Sequence, residues 1–388
     1  MQAQPRYNKA SQANGWRNIA SKFRNLDMVV FWLVLALMTV GVVAVYSASA
    51  DMAGSSLGKV FKQVVFDGVA MVTLLMAFNL NIQWNKSNGS AQRWFLWISL
   101  GLMVIAAFFQ PINGAKGWIS AGWISFQPVE LFKITNVLWF ARVLSLPKAK
   151  IFSLKNLAWP LLGLAILIIY PDFGGILINL GIMSIVILTS GLAPAMATVV
   201  ILTSMGVIWY LLPLLAPFLR EFGGYQIARF LAYINPWEYI QTSGGQVINS
   251  YYAISNGGLF GRGLGQSLQK NGNLPEPNTD FIMAVVGEEV GAIVVLLIVL
   301  AVFVIMYRFW RFGMQTRNMQ YRMILFGMMT YLFMQVMVNL GGVDGALPIT
   351  GVTFPFISAG GTSVVSLGLA LGIGLNIIRL IKQEQQNQ

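Results

Sequence analysis

Long apolar stretches recur along almost the whole chain and are separated by short polar segments. A helix that crosses a membrane needs about 20 mostly apolar residues. The pattern predicts ten such helices, at residues 28–48, 63–80, 94–110, 128–145, 157–170, 174–190, 194–214, 281–306, 323–341 and 353–380. Between the fifth and sixth, a Pro-Asp and Gly-Gly sequence is typical of a turn, which predicts a helical hairpin. The predicted fold class is an all-α polytopic membrane protein with about ten transmembrane helices.

One connection between these helices is much longer than the others, at residues 217–280. Loops longer than about 15 residues are usually functional or disordered, and the aromatic residues of this loop supply apolar surface for folding. We therefore predict one large folded loop. The predicted organisation is a tail (1–27), seven helices (28–216), the loop (217–280), three helices (281–380) and a second tail (381–388).

The composition agrees with a membrane protein and limits its chemistry. Hydrophobic residues make up 56% of the chain and charged residues 10%, whereas soluble domains have about 25% charged residues. There is no Cys and no His. This excludes a thiol nucleophile, a Cys-ligated metal and a histidine base. Any reaction must therefore use carboxylates, amines, guanidinium groups, amides or hydroxyls.

The distribution of positive charge predicts the orientation in the membrane. Of the 25 Lys and Arg residues, 17 fall in segments on the N-terminal side of the membrane and seven on the other side. Loops rich in Lys and Arg face the cytoplasm. Both termini are thus predicted to be cytoplasmic, and the loop 217–280 extracytoplasmic. The net charge of +12 reflects this topology, and we predict no nucleic-acid partner.

Glu130 and Lys133 are charged residues just inside the fourth predicted helix. Their i,i+3 spacing places both side chains on one helix face. Buried charge in a membrane usually faces a partner or a cavity. Two interpretations follow: a self-neutralising pair that fixes helix packing, or part of the wall of a hydrophilic substrate cavity.

Asp280 ends the long loop, after a stretch stiffened by Pro275 and Pro277. Taken alone, it could cap the following helix, whose dipole favours an acid at this end. It could also act chemically at the membrane surface. Glu288 and Glu289 lie deeper in the same predicted helix, and we expect them to be paired and structural.

The tenth predicted helix begins with a stretch that combines Pro355 and Ser358 with the pair Gly360-Gly361. This combination indicates broken or closely approaching backbone. Irregular backbone at membrane depth is tolerated only against protein or a wet cavity. A seam of small residues for helix packing is the alternative.

Together these segments resemble the SEDS family of bacterial cell-wall polymerases, the FtsW/RodA group. The most specific stretch is Ile254–Lys270, followed by Leu274-Pro275-Glu276 and by Thr279-Asp280-Phe281 up to Glu289. Also similar are Phe126-Gln127-Pro128 with Glu130 and Lys133, the segment 171–174, and the 355–361 motif. Within the family, residues 235–237 and 264–267 are more similar to division members than to elongation members.

The resemblance implies a peptidoglycan glycosyltransferase that polymerises lipid II at the outer face of the bacterial cytoplasmic membrane, for septal wall synthesis in cell division. Asp280 would be the general base. Positive groups would stabilise the departing pyrophosphate. We expect them among Lys116, Arg229, Arg262 and Lys270, and first at Arg229 and Lys270, which lie in segments that match the family. The expected substrate-binding set also contains Gln127, Glu130, Lys133, Ser358, Gly360 and Gly361.

The expected partners are lipid II, the undecaprenyl-pyrophosphate-linked glycan, a class B penicillin-binding protein that acts as transpeptidase, and other division proteins. No protein metal site is expected, although a divalent cation (Mg²⁺ or Mn²⁺) could accompany the pyrophosphate. A lipid II flippase, an elongation-type polymerase and a structural scaffold for division proteins are the alternatives.

The chain departs from the family pattern at a few positions. Ala359 replaces the usual Tyr before the glycine pair, and Asn278 replaces a frequent His before Thr279-Asp280. Gly117 and Ser125 stand where basic residues are common. These changes affect the set of cations expected to hold the substrate, but not Asp280.

Overall fold

The computed structural model describes residues 24–50, 56–80, 89–111, 116–122, 124–145, 153–191, 194–206, 210, 214 and 225–386. The predicted N-terminal tail up to residue 23, the first part of the long loop (217–224), the two residues before that loop and the last two residues of the chain lie outside these ranges. Everything below refers to the described residues.

The described chain is almost entirely helical. The helices are α1 (Met28–Ser49), α2 (Ser56–Asn79), α3 (Ser90–Ala106), α4 (Pro128–Leu144), α5 (Leu154–Ile169), α6 (Phe173–Ser190), α7 (Pro194–Gly206), α8 (Tyr225–Ile234), α9 (Ser243–Gly257), α10 (Ile282–Gln315), α11 (Met319–Val343) and α12 (Thr362–Gln386). A short antiparallel hairpin, β1 (Ile119–Ala121) and β2 (Ile124–Phe126), precedes α4, with Ile119 opposite Phe126. The predicted all-α fold class is confirmed, apart from the number of membrane spans.

Six helices are long and apolar enough to cross a membrane: α1, α2, α6, α10, α11 and α12. Helices α3 and α5 are apolar but shorter. The predicted total of ten spans is not established by these lengths and stays a prediction. The hairpin predicted between the fifth and sixth spans is confirmed, because α5 ends at Ile169 and Asp172 caps α6 by accepting a hydrogen bond from the Gly175 N–H at 2.8 Å.

Most of the helices pack into one large apolar core, and a second, smaller apolar cluster joins α9 to the start of α10. The most extensive helix pairing is that of α12 with α2. A Cβ at Gly368 would lie 2.3 Å from the Ala70 carbonyl oxygen, so glycine permits this approach. Helix α11 packs on α4, α6 and α10, while α10 also contacts α1 and α9. This arrangement gathers α2, α4, α6 and the N-terminal end of α10 around one region.

Several predicted helix boundaries were wrong, and the two starts that differ most from the prediction are those of the last helix and of α2. The last helix begins at Thr362 rather than at 353, because residues 353–361 contain Pro355 and the positive φ angles of Phe356 (62°) and Gly361 (47°). Helix α2 begins at Ser56 rather than at 63. Its first turns carry Lys59 and Lys62, so they read as a polar loop in a hydropathy pattern although they are helical.

Candidate active site

A cavity of about 480 Å³ opens between the helices near the start of α10. Ligand cavities typically measure 300–1,000 Å³. Its walls come from α2, the β hairpin, α4, the start of α6, α8, the loop before α10 and the 350–363 segment. The charged residues that line it are Lys59, Lys62, Lys116, Glu130, Lys133, Asp172, Arg229, Glu276 and Asp280.

Asp280 lies in this cavity opposite an arginine of the long loop. The Nη2 atom of Arg229, on α8, is 4.0 Å from Oδ2 of Asp280. The Asp280 side chain is 19% exposed, which leaves it open to a ligand. From α11, Asn339 donates its side-chain N–H to the Asp280 carbonyl oxygen at 3.0 Å. The backbone is thus held while the carboxylate faces the cavity.

The alternative interpretation of Asp280 as a helix cap is wrong. Helix α10 begins at Ile282, its N-cap residue is Phe281, and no side chain caps it by a hydrogen bond. The carboxylate is therefore available for another role. Burial raises the pKa of Asp280, Glu276 raises it further, and the Arg229 guanidinium together with the Thr279 hydroxyl acts in the opposite direction. A raised pKa suits a carboxylate that accepts a proton.

Glu130 and Lys133 form a buried ion pair on the cavity wall. The Lys133 ammonium donates to Oε1 of Glu130 at 2.7 Å, and the Tyr331 hydroxyl donates to Oε2 at 2.7 Å. The same ammonium lies 5.2 Å from the centre of the Tyr331 ring. The two interpretations of this pair are therefore compatible, because it joins α4 to α11 and also lines the cavity.

The irregular segment before α12 forms part of the cavity floor. The amide N–H of Ala359 donates to the Asn278 carbonyl at 2.9 Å, which ties this segment to the loop that bears Asp280. Gly360 and Gly361 line the cavity, whereas Ser358 does not. Ser358 is fully buried, and its hydroxyl accepts a hydrogen bond from the Phe354 N–H at 2.8 Å. It shapes the segment rather than facing a ligand.

Several lining residues were missed from the sequence. Lys59, Lys62 and Gln63 lie on the wall formed by α2. Their i, i+3 and i+4 spacing, continued by Phe66, is the pattern of one helix face. That spacing was the available signal, but the two lysines were counted as loop charges. Asp172 also lines the cavity. It was noted in a turn and in the family-like segment 171–174, but not as a site residue.

Asn278 contributes an unused acceptor to the cavity wall. Within the described ranges, its buried Oδ1 atom has no hydrogen-bond partner. A buried polar atom without a partner is costly, so this oxygen suits a donor supplied by a ligand. The residue stands where the family often has His, so the position keeps a polar function here without a titratable group.

Two of the expected substrate-binding cations lie away from the cavity. Lys270 is fully buried, and its ammonium lies 3.1 Å from Oε1 of Glu289 and also donates to the carbonyl oxygens of Ser47 and Gly265. Arg262 is exposed and does not line the cavity. The remaining expected residues, Lys116, Gln127, Glu130, Lys133 and Arg229, do line it.

Glu289 is paired as expected, with Lys270, whereas Glu288 is held by hydrogen bonds from neutral groups. Glu288 accepts hydrogen bonds from the Asn256 amide at 3.0 Å and the Ser267 hydroxyl at 2.5 Å. Glu289 accepts from Lys270 and from the Ser47 hydroxyl at 2.6 Å. These contacts fix the end of the long loop against α1 and α10.

The carboxylates of the cavity do not form a complete metal site. In the part of the chain that the structure describes, no group of three or more Asp and Glu residues could hold a metal ion. Mg²⁺ is commonly held by one or two carboxylates together with substrate phosphates. A divalent cation held by the described carboxylates would therefore need further oxygen ligands from a bound molecule.

Curated proteins resemble this chain over nearly its full length. The Bacillus subtilis stage V sporulation protein E is 34% identical over 381 residues, which cover 93% of this chain and 99% of that protein. The Enterococcus hirae protein "Probable peptidoglycan glycosyltransferase FtsW" is 31% identical, and the match covers 96% of both chains.

Solved structures share the fold. One chain of the solved structure described as "Structural coordination of polymerization and crosslinking by a peptidoglycan synthase complex" is 26% identical to this chain. The two superpose with a TM-score of 0.74 over 92% of this chain and 99% of that one. The rod shape determining protein RodA of Thermus thermophilus, at 23% identity and a TM-score of 0.66 over 91% of this chain and 97% of that one, shows the same fold. Residues 28–383 match the family model FtsW/RodA/SpoVE, described as cell cycle protein. The chain therefore belongs to the FtsW/RodA/SpoVE family, and the resemblance seen in its motifs is confirmed.

Proposed function

We propose that this multi-pass membrane protein is a peptidoglycan glycosyltransferase that polymerises lipid II, with Asp280 as its general base. The names of the FtsW relatives support the enzyme class. The observation that carries the proposal is the placement of the Asp280 carboxylate, uncommitted to any helix cap, in a polar cavity beside Arg229. The cavity lies at the end of membrane-spanning helices, where a lipid-linked sugar can reach it.

The reaction proceeds by displacement at the anomeric carbon of the growing glycan. The 4-hydroxyl of the incoming disaccharide attacks this carbon, and the bond to undecaprenyl pyrophosphate breaks. Asp280 takes the hydroxyl proton, and the bond's electron pair leaves with the pyrophosphate. Positive groups that face the developing charge lower the barrier. Arg229, Lys116, Lys59 and Lys62 line the cavity and supply such groups.

The other lining residues are suited to hold the sugar and peptide. Gln127 and the acceptor atom of Asn278 offer amide groups. The Glu130–Lys133 ion pair adds a polar wall with no net charge. Gly360 and Gly361 allow a ligand to approach the backbone closely. Lys270 and Ser358 take part only through the structure that they hold together.

The proposal is tested with the purified chain in detergent and labelled lipid II. A ladder of glycan products on a gel is expected. Lipid II that crosses the membrane of reconstituted vesicles without forming polymer would contradict the proposal and favour a flippase.

The pH dependence of polymerisation should report the environment of Asp280. A base works only when deprotonated, so the rate is expected to fall as the pH falls through the raised pKa of Asp280. Since Arg229 lowers this pKa, Arg229→Gln should move the acidic limb of the kcat/KM profile to higher pH. Lys116→Gln, which removes another cavity cation, is the control and should leave the limb in place. An unmoved limb in Arg229→Gln would show that the two groups are not coupled.

We propose that the Asp280 end of the protein is extracytoplasmic and that both termini are cytoplasmic, as the loop charges indicate. The absence of native Cys makes labelling direct. A Cys at the exposed position Gln241 should react with an impermeant maleimide in intact protoplasts, and one at exposed Gln315 only after lysis. The reverse pattern would overturn the orientation.

We further propose that the enzyme works at the division septum beside a crosslinking partner, a class B penicillin-binding protein, and with other division proteins. The similarity to a chain of a peptidoglycan synthase complex that couples polymerisation and crosslinking supports such a partner. The FtsW names of several relatives support the division role over the elongation role.

A further inference from the structure

The chain that follows α9 carries an unusual set of exposed apolar residues. In the segment 258–268, Leu259, Phe260 and Leu264 are 62%, 82% and 64% exposed, and Leu268 is 49% exposed. Such contiguous exposed apolar side chains mark an interaction surface. The segment belongs to the long loop, yet it lies against the membrane-spanning helix α10.

The segment contacts α10 at a break in that helix. Gly291 has φ 83° and ψ 169°, which interrupts the helix. Directly after the break, the N–H of Ala292 donates to the Gly258 carbonyl at 3.0 Å, and that of Ile293 donates to the Leu259 carbonyl at 3.3 Å. The carbonyl groups of the segment therefore accept hydrogen bonds from the part of α10 that follows the break and continues into the membrane.

The segment also donates backbone hydrogen bonds to α10. The N–H groups of Arg262 and Gly263 donate to the carbonyl oxygens of Glu288 and Glu289, both at 2.9 Å. Backbone groups at membrane depth must find partners within the protein. These four hydrogen bonds fulfil that requirement for one backbone group each of Gly258, Leu259, Arg262 and Gly263.

Glycines let the two backbones approach closely enough for these bonds. A Cβ at Gly261 would lie 2.3 Å from the Glu289 carbonyl oxygen, and one at Gly291 would lie 2.3 Å from the Leu259 carbonyl oxygen. Both glycines also have positive φ angles. The segment thus lies flat on α10.

Several polar side chains in and next to this segment turn towards the protein, whereas Arg262 and Gln266 within it are exposed. Ser267 and Asn256 bind Glu288, and the buried Lys270 binds Glu289. The apolar side chains of the segment point outward instead. This separation is the pattern of a surface that contacts lipid on one side and protein on the other.

The position of the break relative to the bilayer follows from its distance along α10 to the next charged residue. From Gly291 to Arg308, the first basic residue of this helix, the rise is about 26 Å at 1.5 Å per residue. The hydrocarbon core of a bilayer is about 30 Å thick. Between these two residues, Ile293, Leu296 and Leu300 are exposed on α10. The break lies near the edge of the hydrocarbon at the Asp280 end, next to a lipid-facing stretch of helix.

We propose that the segment 258–268 is embedded in the boundary between acyl chains and headgroups of the leaflet at the Asp280 end. Leu259, Phe260 and Leu264 would contact lipid, continuing the exposed apolar surface of α10. Arg262, which is exposed within the segment, has a side chain long enough to reach lipid phosphates. The loop that ends at Asp280 would thereby be anchored in the bilayer.

Site-specific labels in lipid vesicles test this placement. The full chain carries a single introduced Cys, labelled with an environment-sensitive fluorophore, at Phe260 or, as a second variant, at Leu264. Leu300→Cys on α10 serves as the lipid-exposed reference, and Asn271→Cys, an exposed polar position of the same loop, serves as the aqueous reference. Each variant is first checked for monodisperse elution in detergent.

Labels at Phe260 and Leu264 are expected to emit at shorter wavelength than the label at Asn271 and to be quenched by lipids brominated on their acyl chains. Aqueous iodide should quench them less than it quenches Asn271. The proposal would be overturned if iodide quenched the labels at both positions as strongly as the label at Asn271 and brominated lipid did not quench them. Labels that leave water only when a partner protein is added would also overturn it, since the surface would then be a protein interface.

Discussion

Substitution of either Glu130 or Lys133 alone should destabilise the protein by about 3–5 kcal/mol, because each change leaves one buried charge without its partner. Both side chains are buried, 2.7 Å apart, and the carboxylate also accepts the Tyr331 hydroxyl. Glu130→Gln with Lys133→Met should cost less than the sum of the two single changes. The free energy of unfolding in detergent, measured for all four proteins, gives the coupling directly.

A second buried pair provides a matched control for this cycle. Lys270 and Glu289 are equally buried and 3.1 Å apart, but Lys270 does not line the cavity. We expect similar coupling in Lys270→Met with Glu289→Gln. Of the two double variants, only the one at 130 and 133 should have a lower polymerisation rate per folded molecule than the wild type. Strictly additive losses at 130 and 133 would show that the two residues act separately.

Asp280→Asn is expected to lower lipid II polymerisation by about 10²- to 10⁴-fold, the usual contribution of a general base. This range corresponds to roughly 3–5.5 kcal/mol of activation free energy. Folding should survive, because asparagine keeps the shape and the Asn339 contact is made to the backbone. Asp280→Glu should recover little, since a shift of about 1 Å at the reacting group can cost about 10²-fold.

The control for this change is Asp344→Asn. Asp344 is exposed after α11, and its carboxylate accepts the Ala346 N–H at 2.9 Å outside the cavity. Its variant should polymerise at the wild-type rate and melt close to the wild-type temperature. If both variants lost activity equally, the effect at Asp280 would be a loss of local structure and not of a base.

The helical architecture could be predicted because lipid leaves few structural choices. Every backbone group in the bilayer must be hydrogen-bonded internally, so a long apolar stretch predicts a helix. The same reasoning fails where a helix faces a wet cavity. The first turns of α2 carry Lys59 and Lys62, which look like a loop by hydropathy but are helical and line the site.

The site was predicted best where neighbouring positions determine the contact. Glu130 and Lys133 are three residues apart, so helix geometry alone brings them together. Lys270, in contrast, pairs with Glu289 and contacts Ser47, which is 223 positions away. Only tertiary packing decides such contacts, so local spacing could not show that Lys270 is removed from the cavity. The sequence indicated irregular backbone at Pro355 and Gly360-Gly361, but not that the last helix begins only at Thr362, because apolar residues flank Pro355.

The most direct test of the central claim compares the wild type with Asp280→Asn in vesicles that carry labelled lipid II. One sample is analysed for glycan polymer, and a second for lipid II that has changed leaflet. The wild type is expected to form polymer, and the variant to keep lipid II as monomer although it folds and inserts normally. Wild-type amounts of polymer from well-folded Asp280→Asn would contradict the assignment of Asp280 as the base.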